Sequence, residues 1–453
     1  MIAIQVVLTL LRELLRALLT PLRLLLYLPR RHAWRRAAQS ALAEAAASPE
    51  HNADALVATL RQRARQSGRA QGRPPHVFVS AGEASGEAHA AQLVQALGDT
   101  SIRWTAFGGE LLASAGAQLR FALSEHAVMG FLGVLQKLPL ILRAYASFLR
   151  LLRDDPPDLV VLIDYPGLHL VMAKACRRRG VPVLHYVAPQ YWAWGPWRMR
   201  RYRRSVDATL TILPFETAFF RRFGIAAHYI GHPLLDELQR QPADPAAVAN
   251  VRARPTLCLL PGSRRADIAA NLPGMLRVAE RMRQEIPNLR VVLPHRDPRR
   301  TEPILALLRE HNADFVEHHP GALAPWLAGS RLVLAKSGTG SLEACLHGTP
   351  VVVVYQLRGL LSSIGYHSIL SVPFIAAANL IANARVVPEF CFHRERGWDD
   401  VLAAALLLFR DGPARAQCLA DLQGVQQRLG APQAANRAAG LIRAALSHEQ
   451  APA

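Results

Sequence analysis

The chain has 453 residues, of which 51% are hydrophobic and 19% are charged, and its formal net charge is +19. This length and composition exclude a disordered chain and predict a globular protein of two or three domains. The positive charge favours anionic partners, namely nucleic acid, a membrane surface or phosphorylated substrates, although abundant arginine and alanine are also typical of GC-rich genomes. Five widely spaced cysteines, without a CxxC pair, indicate reduced thiols in a cytosolic enzyme.

The first 36 residues predict an amphipathic helix that lies in the plane of a membrane. Polar residues recur every three or four positions in one narrow stripe, and the others up to Tyr27 are apolar. The stripe consists of Gln5, Thr9, Arg12, Glu13, Arg16, Thr20 and Arg23. A spanning helix would bury three charges at roughly 2.5–3.5 kcal/mol each, and an in-plane helix avoids that cost. Four arginines between residues 30 and 36 would then meet anionic headgroups. The alternative is a helix packed on the protein's own core.

Beyond a helical spacer that ends at residue 75, apolar runs alternate with amphipathic segments. The runs are "HVFVSA", "WTAFGG", "LVVLIDY", "VPVLHYVA", "ATLTILP" and "AAHYIG", and after a polar stretch "TLCLLPGS", "LRVVLPH", "RLVLAKSG" and "TPVVVVYQ". This alternation predicts an α/β protein with two Rossmann-like, doubly wound domains that face each other across a cleft. We place the domains at residues 76–240 and 241–430, after a helical region at 1–75 and before a C-terminal helix and tail at 431–453.

The first strand leads into the turn "SAGEASGE", which has the form of a phosphate cradle but carries carboxylates. Glu83 would repel a diphosphate, whereas it would accept hydrogen bonds from sugar hydroxyls. We interpret this turn as the acceptor-side wall of a site. Gly82 and Gly86 would let the backbone approach a ligand, and Glu83 and Ser85 would contact it.

An unusually apolar segment begins at Met129 and continues to residue 142. Two interpretations stay open for it: core packing, or a surface for acyl chains or a membrane.

Asp164 ends the apolar run "LVVLIDY". A lone carboxylate is costly to bury at such a place, so Asp164 is a candidate general base, with a helix-capping role as the alternative.

Two turns in the second half are typical of diphosphate binding, because small residues free the amides at a helix N-terminus. They are "LLPGSRRADI", with Gly262, Ser263 and Arg264, and "AKSGTGSLEA", with Ser337, Gly338, Thr339 and Glu343. Arg264 is placed to bind a phosphate, and Glu343 to accept ribose hydroxyls. Together the turns indicate a nucleotide diphosphate. The chain lacks a Walker lysine motif and a suitably placed GxGxxG, which argues against P-loop ATPases and dinucleotide enzymes.

From about Val77 onward, the order of motifs resembles the lipid-A-disaccharide synthase family, inverting GT-B glycosyltransferases of lipopolysaccharide assembly. The matching stretches are "SAGEASGE", "EHAVMGFLGVL", "IDYPG", "HYVAPQYWAW", "ILPFE", "YIGHPLLD", "LLPGSRRADI" and "SGTGSLEA". The resemblance implies transfer of 2,3-diacylglucosamine from its UDP donor to the 6-hydroxyl of 2,3-diacylglucosamine 1-phosphate, with release of UDP and without a metal.

The resemblance also implies roles for single residues. It makes Asp164 the general base and Arg264 the cation that stabilises the leaving diphosphate, and it places Asn379 and Glu389 near the donor. Glu216 and His232 also match, in structural or catalytic roles. The chain departs from the family beside the base, where Gly167 and His169 replace an acid and an amide.

The predicted partners are a UDP-sugar donor, an acylated glucosamine 1-phosphate acceptor and the lipid surface of the inner membrane, on its cytoplasmic face. We expect no cofactor and no nucleic acid, and leave a homodimer open. Two alternatives stay open: a related GT-B transferase with another UDP-sugar or lipid acceptor, and a catalytically silent membrane-associated homologue.

Overall fold

The computed structural model describes residues 2–47, 53–66, 73–98, 101–124, 137–357, 359, 365–366 and 368–447. The chain divides into two compact units. The first comprises Met1–Asp236 with Pro432–Ala453, and the second comprises Glu237–Ala431.

Four helices precede the first sheet: α1 (Ile2–Leu18), α2 (Thr20–Tyr27), α3 (Arg31–Ala47) and α4 (Ala53–Gln66). Pro21 in the first turn of α2 separates it from α1, because proline has no N–H for the preceding turn. Trp34 of α3 stacks on Phe223 with ring centroids 5.3 Å apart, and α4 buries Leu56 and Leu60 in the core of the first unit. None of the described helices is both long enough and apolar enough to cross a bilayer.

The first unit is built on a seven-stranded parallel sheet of order β3-β2-β1-β4-β5-β6-β7. Its strands are β1 (His76–Ala81), β2 (Arg103–Gly108), β3 (Gln118–Ala122), β4 (Leu159–Ile163), β5 (Val183–Tyr186), β6 (Ala208–Thr211) and β7 (Ala226–Tyr229). The described helices along it are α5 (Ala84–Leu97), α6 (Glu110–Ser114), α7 (Leu138–Asp154), α8 (Pro166–Arg177), α9 (Met199–Arg203), α10 (Pro214–Arg222) and α11 (Pro233–Arg240). Central strands such as β1 and β4 are buried throughout, since helices cover both faces of a doubly wound sheet.

The second unit has a six-stranded parallel sheet of order β10-β9-β8-β11-β12-β13. Its strands are β8 (Thr256–Leu260), β9 (Arg290–His295), β10 (Val316–Pro320), β11 (Leu332–Lys336), β12 (Val351–Gln356) and β13 (Glu389–Phe392). Its described helices are α12 (Pro245–Arg252), α13 (Arg265–Glu285), α14 (Thr301–Glu310), α15 (Ala324–Gly329), α16 (Thr339–Leu346), α17 (Ala377–Ala382), α18 (Gly397–Phe409) and α19 (Pro413–Leu429).

The last helix, α20 (Ala434–Leu446), packs on α5 and α4 of the first unit. The Asp236 carboxylate caps it by accepting from the backbone amides of Gln433 at 2.5 Å and Ala435 at 3.1 Å. The Arg443 side chain donates to the Leu97 carbonyl at 2.8 Å. The C-terminal helix therefore belongs to the core of the first unit.

Candidate active site

The loops after β1 and β4 lie side by side at the carboxyl edge of the first sheet. Ala81 and Ile163, the last residues of these strands, are register partners. The strand order reverses direction between β1 and β4, and ligands of doubly wound proteins bind at such a switch point. The predicted acceptor turn and the predicted base are thus brought together.

The backbone at Asp164 is strained and held in place by two histidines. Asp164 and Tyr165 both adopt left-handed conformations, with φ of 48° and 47°, which cost roughly 1–3 kcal/mol for each non-glycine residue. The Asp164 carbonyl accepts from His169 Nδ1 at 2.7 Å and from His185 Nε2 at 3.0 Å. Its amide donates to the Tyr186 carbonyl at 3.0 Å. Such strain persists where surrounding contacts enforce it, as is typical of active sites.

His169, which the sequence marks as a departure from the family, is fully buried beneath this loop. Because a carbonyl only accepts, His169 Nδ1 carries a proton, and Nε2 accepts from the Ser80 hydroxyl at 2.8 Å. Burial lowers the pKa of His169 to about 3 and that of His185 to about 4. Both rings are therefore neutral at physiological pH and hold the backbone without adding charge beside Asp164.

The Asp164 carboxyl has the character of a base that titrates near neutrality. Burial, followed by the charge of Glu83, raises the pKa of Asp164 to about 6. Above that pH the group is ionised, and it is more basic than an exposed aspartate.

Glycine at position 82 is required by packing. A Cβ there would overlap the ring of Tyr165, whereas a Cβ at Gly86 would find ordinary contacts, the nearest being 3.6 Å away on Ile163. Ser85 is exposed in the first turn of α5, and Glu83 precedes that helix.

Gly82→Ala is expected to lower the melting temperature by several degrees, because relieving an overpacked contact of this kind costs about 1–3 kcal/mol. Gly86→Ala is the matched control. It replaces glycine within a helix and is expected to leave the melting temperature equal or higher. Differential scanning calorimetry of both variants measures the melting temperatures. A Gly82→Ala variant that melts at the wild-type temperature would show that packing does not require glycine at this position.

Glu87, the second carboxylate of the turn, has a structural role. Its side chain accepts from the backbone amides of Leu111 at 2.9 Å and Leu112 at 3.3 Å, and from the Ser124 hydroxyl. It therefore caps α6 from the interior of the first unit.

Glu216 is likewise a buried connector. It accepts from the amides of Ile212 at 3.1 Å and Leu213 at 3.0 Å and from Trp192 Nε1 at 3.0 Å. Burial raises the pKa of Glu216 to about 7. These bonds join the "APQYWAW" turn to the start of α10. His232 is half-buried. Desolvation of its ring lowers its pKa to about 4, and its Nδ1 accepts from the Leu234 amide at 3.2 Å.

Met129 lies outside the described residues, as does the whole of 125–136.

In the second unit, the turn after β8 presents an exposed arginine. Gly262 has φ of 119°, and a Cβ there would lie 2.7 Å from the Cβ of Asp267, so glycine is required on both counts. The Ser263 carbonyl accepts from Arg300 Nε at 2.9 Å, which fixes the turn. Within the described part of the chain, the Arg264 guanidinium has no hydrogen-bond partner.

The second predicted nucleotide turn lies after β11, the strand next to β8 in the sheet. The Ser337 hydroxyl donates to the Ile375 carbonyl at 2.7 Å. Gly338 and Thr339 are exposed at the start of α16. Both predicted turns of the second half are therefore neighbours at one sheet edge, with a helix N-terminus behind each.

Glu343, one turn into α16, is fully buried and paired. Arg296, which follows β9, donates to its two oxygens at 2.6 and 3.1 Å. Burial raises the pKa of Glu343, and the Arg296 charge opposes that shift. Arg296 stands in no motif of the sequence and was not predicted as a site residue.

Asn379 and Glu389 form a network that holds the backbone beside Ser337. Glu389 accepts from the amides of Ile375 at 3.0 Å and Ala376 at 2.8 Å, and from Asn379 Nδ2 at 3.0 Å. The Asn379 amide oxygen accepts from Val387 N at 2.9 Å. The side chains of Asn379 and Glu389 therefore hold the loop whose Ile375 carbonyl accepts from the Ser337 hydroxyl.

Lys336, the last residue of β11, is a further basic residue at this edge and was not predicted as a site residue. Its Nζ lies 3.6 Å from an Asp267 carboxylate oxygen and 5.1 Å from the centre of the Tyr355 ring. Burial lowers the pKa of Lys336, and Asp267 opposes that shift.

Two doubly wound parallel sheets, each in its own unit with polar loops at its carboxyl edge, define the GT-B fold. Among solved structures, Staphylococcus aureus MnaA with UDP aligns with a TM-score of 0.55 at 14% identity, covering 81% of this chain and 94% of that one. A putative UDP-N-acetylglucosamine 2-epimerase from Listeria monocytogenes aligns with a TM-score of 0.52 at 15% identity, covering 82% and 94%. The predicted fold class is confirmed.

The sequence comparisons identify the family. The family model for lipid-A-disaccharide synthetase matches residues 77–428. The lipid-A-disaccharide synthase of Myxococcus xanthus is 37% identical over 376 residues, which cover 81% of this chain and 96% of that protein. That of Acidobacterium capsulatum is 35% identical, covering 79% and 92%. The chain belongs to the lipid-A-disaccharide synthetase family, and its prediction as a glycosyltransferase of lipid A biosynthesis is confirmed.

Proposed function

We propose that Asp164 and Arg264 carry the transfer of 2,3-diacylglucosamine from UDP to the 6-hydroxyl of 2,3-diacylglucosamine 1-phosphate. The acceptor oxygen forms a bond to C1 of the donor sugar from the face opposite UDP. The bond from C1 to the phosphate oxygen breaks, the acceptor's proton passes to Asp164, and UDP leaves with the bonding electrons. The observation that supports this role most strongly is the half-buried Asp164 carboxyl at the switch point, whose pKa is raised to about 6.

On the acceptor side, Glu83 and Ser85 are the proposed sugar contacts, beside Asp164 in the same loop pair. Gly82 admits the Tyr165 ring, and Gly86 adds no side chain to the first turn of α5. Met129 is the proposed contact for an acyl chain.

On the donor side, Gly262, Ser263 and the exposed Arg264 bind the diphosphate, together with Ser337, Gly338 and Thr339 at the start of α16. Arg264 meets the charge that develops on the leaving phosphate. Glu343 is the proposed acceptor of the ribose hydroxyls. Its carboxylate is fully buried and bonded to Arg296, so the Arg296 side chain must move aside when the nucleotide binds. Asn379 and Glu389 act as positioning residues, since they hold the loop that Ser337 contacts.

Arg264→Ala is expected to lower kcat by about 10²–10³, the usual loss when one fixed donor to a developing negative charge is removed. Arg265→Ala, which changes the next residue, another exposed arginine, is the matched control and is expected to retain activity. Steady-state kinetics of UDP release measure both, and equal losses would show that position 264 has no special role.

UDP release with different substrate pairs tests the assignment. We expect turnover only with UDP-2,3-diacylglucosamine and 2,3-diacylglucosamine 1-phosphate together. Turnover with UDP-N-acetylglucosamine or another UDP-sugar instead would support a related transferase. A folded protein without turnover on any pair would support a silent homologue.

We also propose that α1 and α2 dock this enzyme on the lipid surface of the inner membrane, on its cytoplasmic face. The orientation of α1 supports this. Its polar stripe is turned toward the first unit: Glu13 accepts from Arg201 at 2.9 Å, Thr9 hydrogen-bonds Tyr145, and α1 packs against α7. The opposite face is apolar and exposed.

The exposed apolar residues of α1 and α2 recur at the spacing of one helix face. They are Ile4, Val7, Leu8, Leu11, Leu14, Leu15, Leu18, Leu19, Leu22, Leu25 and Leu26, each between 38% and 78% exposed. An apolar surface of this extent marks an interaction site, and the four arginines between residues 30 and 36 favour an anionic lipid surface as the partner.

A further inference from the structure

A second basic site lies in the second unit, at the amino edge of its sheet. A cavity of about 500 Å³ opens where β8, β11 and β12 begin. The nucleotide turns follow the carboxyl ends of β8 and β11, so this cavity lies at the other end of the same strands. It is lined by Arg252, Arg254, Arg331, Arg415 and His347, among others.

The charge of this cavity is strongly unbalanced. Asp411 bonds Arg331 at 2.6 Å and lies 4.0 Å from Arg415, whereas no carboxylate of the described residues pairs with Arg252 or Arg254. Burial and the neighbouring charge of Arg331 lower the pKa of Arg415. A bound anion would relieve this repulsion.

Several hydrogen-bonding groups at the cavity have no partner within the described residues. The Ser330 hydroxyl is one of them, and Ser330 is only 6% exposed. His347 Nε2 is buried and equally unsatisfied. Arg252 donates one N–H to the Ala328 carbonyl at 3.0 Å, and the Arg254 guanidinium makes no hydrogen bond to any described residue. A buried polar group without a partner in the protein requires one from a water molecule, an ion or a ligand.

We propose that this cavity binds an anion that carries phosphate groups, at a site separate from the donor's diphosphate. Guanidinium groups bind phosphate oxygens in pairs of parallel hydrogen bonds, and the Ser330 hydroxyl adds a neutral donor. The cavity is large enough for a small phosphorylated molecule, since ligand sites typically measure roughly 300–1,000 Å³. Such a ligand would join the starts of three strands and α19, and would thereby stabilise the second unit.

Isothermal titration of the full chain with inorganic diphosphate tests this site. The titration is run on Arg264→Ala protein, so that binding at the donor turn is weakened. In that background we expect Arg254→Ala to weaken the remaining binding about tenfold or more, since a charge-assisted hydrogen bond is lost. Arg309→Ala, which removes an exposed arginine of α14 outside the cavity, is the matched control and should not change it.

Ser330→Ala provides a second variant, in which only the unpartnered hydroxyl is removed; it should weaken diphosphate binding severalfold. Melting temperatures without ligand confirm that each variant is folded. A second titration with dibutyryl phosphatidate distinguishes a lipid headgroup from free diphosphate, and tighter binding of either ligand that depends on Arg254 supports the site. Binding of both ligands that is unaffected by Arg254→Ala and Ser330→Ala would overturn the proposal and leave the transferase assignment untouched.

Discussion

Replacing Asp164 with asparagine is expected to lower kcat by about 10²–10⁴, the usual contribution of a general base. The substitution keeps the shape of the side chain but cannot accept the acceptor's proton. UDP binding, which we assign to the second unit, should be unchanged. The measurement is steady-state UDP release together with UDP titration calorimetry of the same preparation.

The stability of this variant provides the control. The folded pKa of Asp164 is raised from 3.8 to about 6, so the ionised carboxylate is less favourable in the folded chain than in the unfolded one. This loss of folding stability grows as the pH rises from about 4 to about 6, and it reaches its full size above pH 6. The asparagine variant should therefore melt no lower than the wild type at pH 8. Loss of activity with a marked fall in melting temperature would indicate a structural role instead.

The pH dependence of the wild type follows from the same group. Because the base must be ionised, kcat should rise through pH 6 and level off above it. Activity that stays constant between pH 5 and 8 would exclude Asp164 as the base.

Replacing Leu11, Leu15 and Leu18 together with asparagine is expected to lower partition onto anionic vesicles by about 10². These side chains are 56%, 56% and 78% exposed on one face of α1. Each leucine that no longer enters the lipid interface forfeits on the order of 1 kcal/mol of apolar burial. Vesicle sedimentation measures the change, with phosphatidylcholine vesicles with and without phosphatidylglycerol.

Leu407→Asn is the matched control, because Leu407 is 61% exposed but lies on α18 of the second unit. It should bind vesicles like the wild type. The triple variant should keep its activity on detergent-dispersed substrate. If light scattering shows a wild-type dimer that the triple variant abolishes while vesicle binding persists, the apolar face is an interface between copies, and the lipid proposal is wrong.

The sequence predicted most of the strands because central strands of a doubly wound sheet are continuous apolar runs. It missed β3, β10 and β13, which lie at sheet edges. β10 reads "VEHHP", and edge strands of this kind carry polar residues because one side is not paired.

The positions of the site loops could also be predicted, because they follow strand ends in a fold where ligands bind there. The contacts of each polar group in these loops could not be predicted. His169 holds the Asp164 carbonyl, and Glu389 holds the amides of Ile375 and Ala376. These contacts depend on the packing of loops that are distant in the sequence, and the spacing of residues along the chain does not predict that packing.

The N-terminal helices show the same limit. The period of the polar stripe predicted a helix, which is present from Ile2 to Leu18. An amphipathic pattern does not state which face is turned toward the protein. The hydrogen bonds between Glu13 and Arg201 show that the polar face is turned toward the protein, so the leucines of the opposite face are exposed.

The most direct test of the central claim is mass spectrometry and NMR of the product made from synthetic UDP-2,3-diacylglucosamine and 2,3-diacylglucosamine 1-phosphate. We predict one disaccharide that carries both sets of acyl chains and the single phosphate, joined to the acceptor's 6-oxygen with C1 of the donor sugar inverted. Release of free diacylglucosamine, a bond to another acceptor oxygen or retention at C1 would contradict the account.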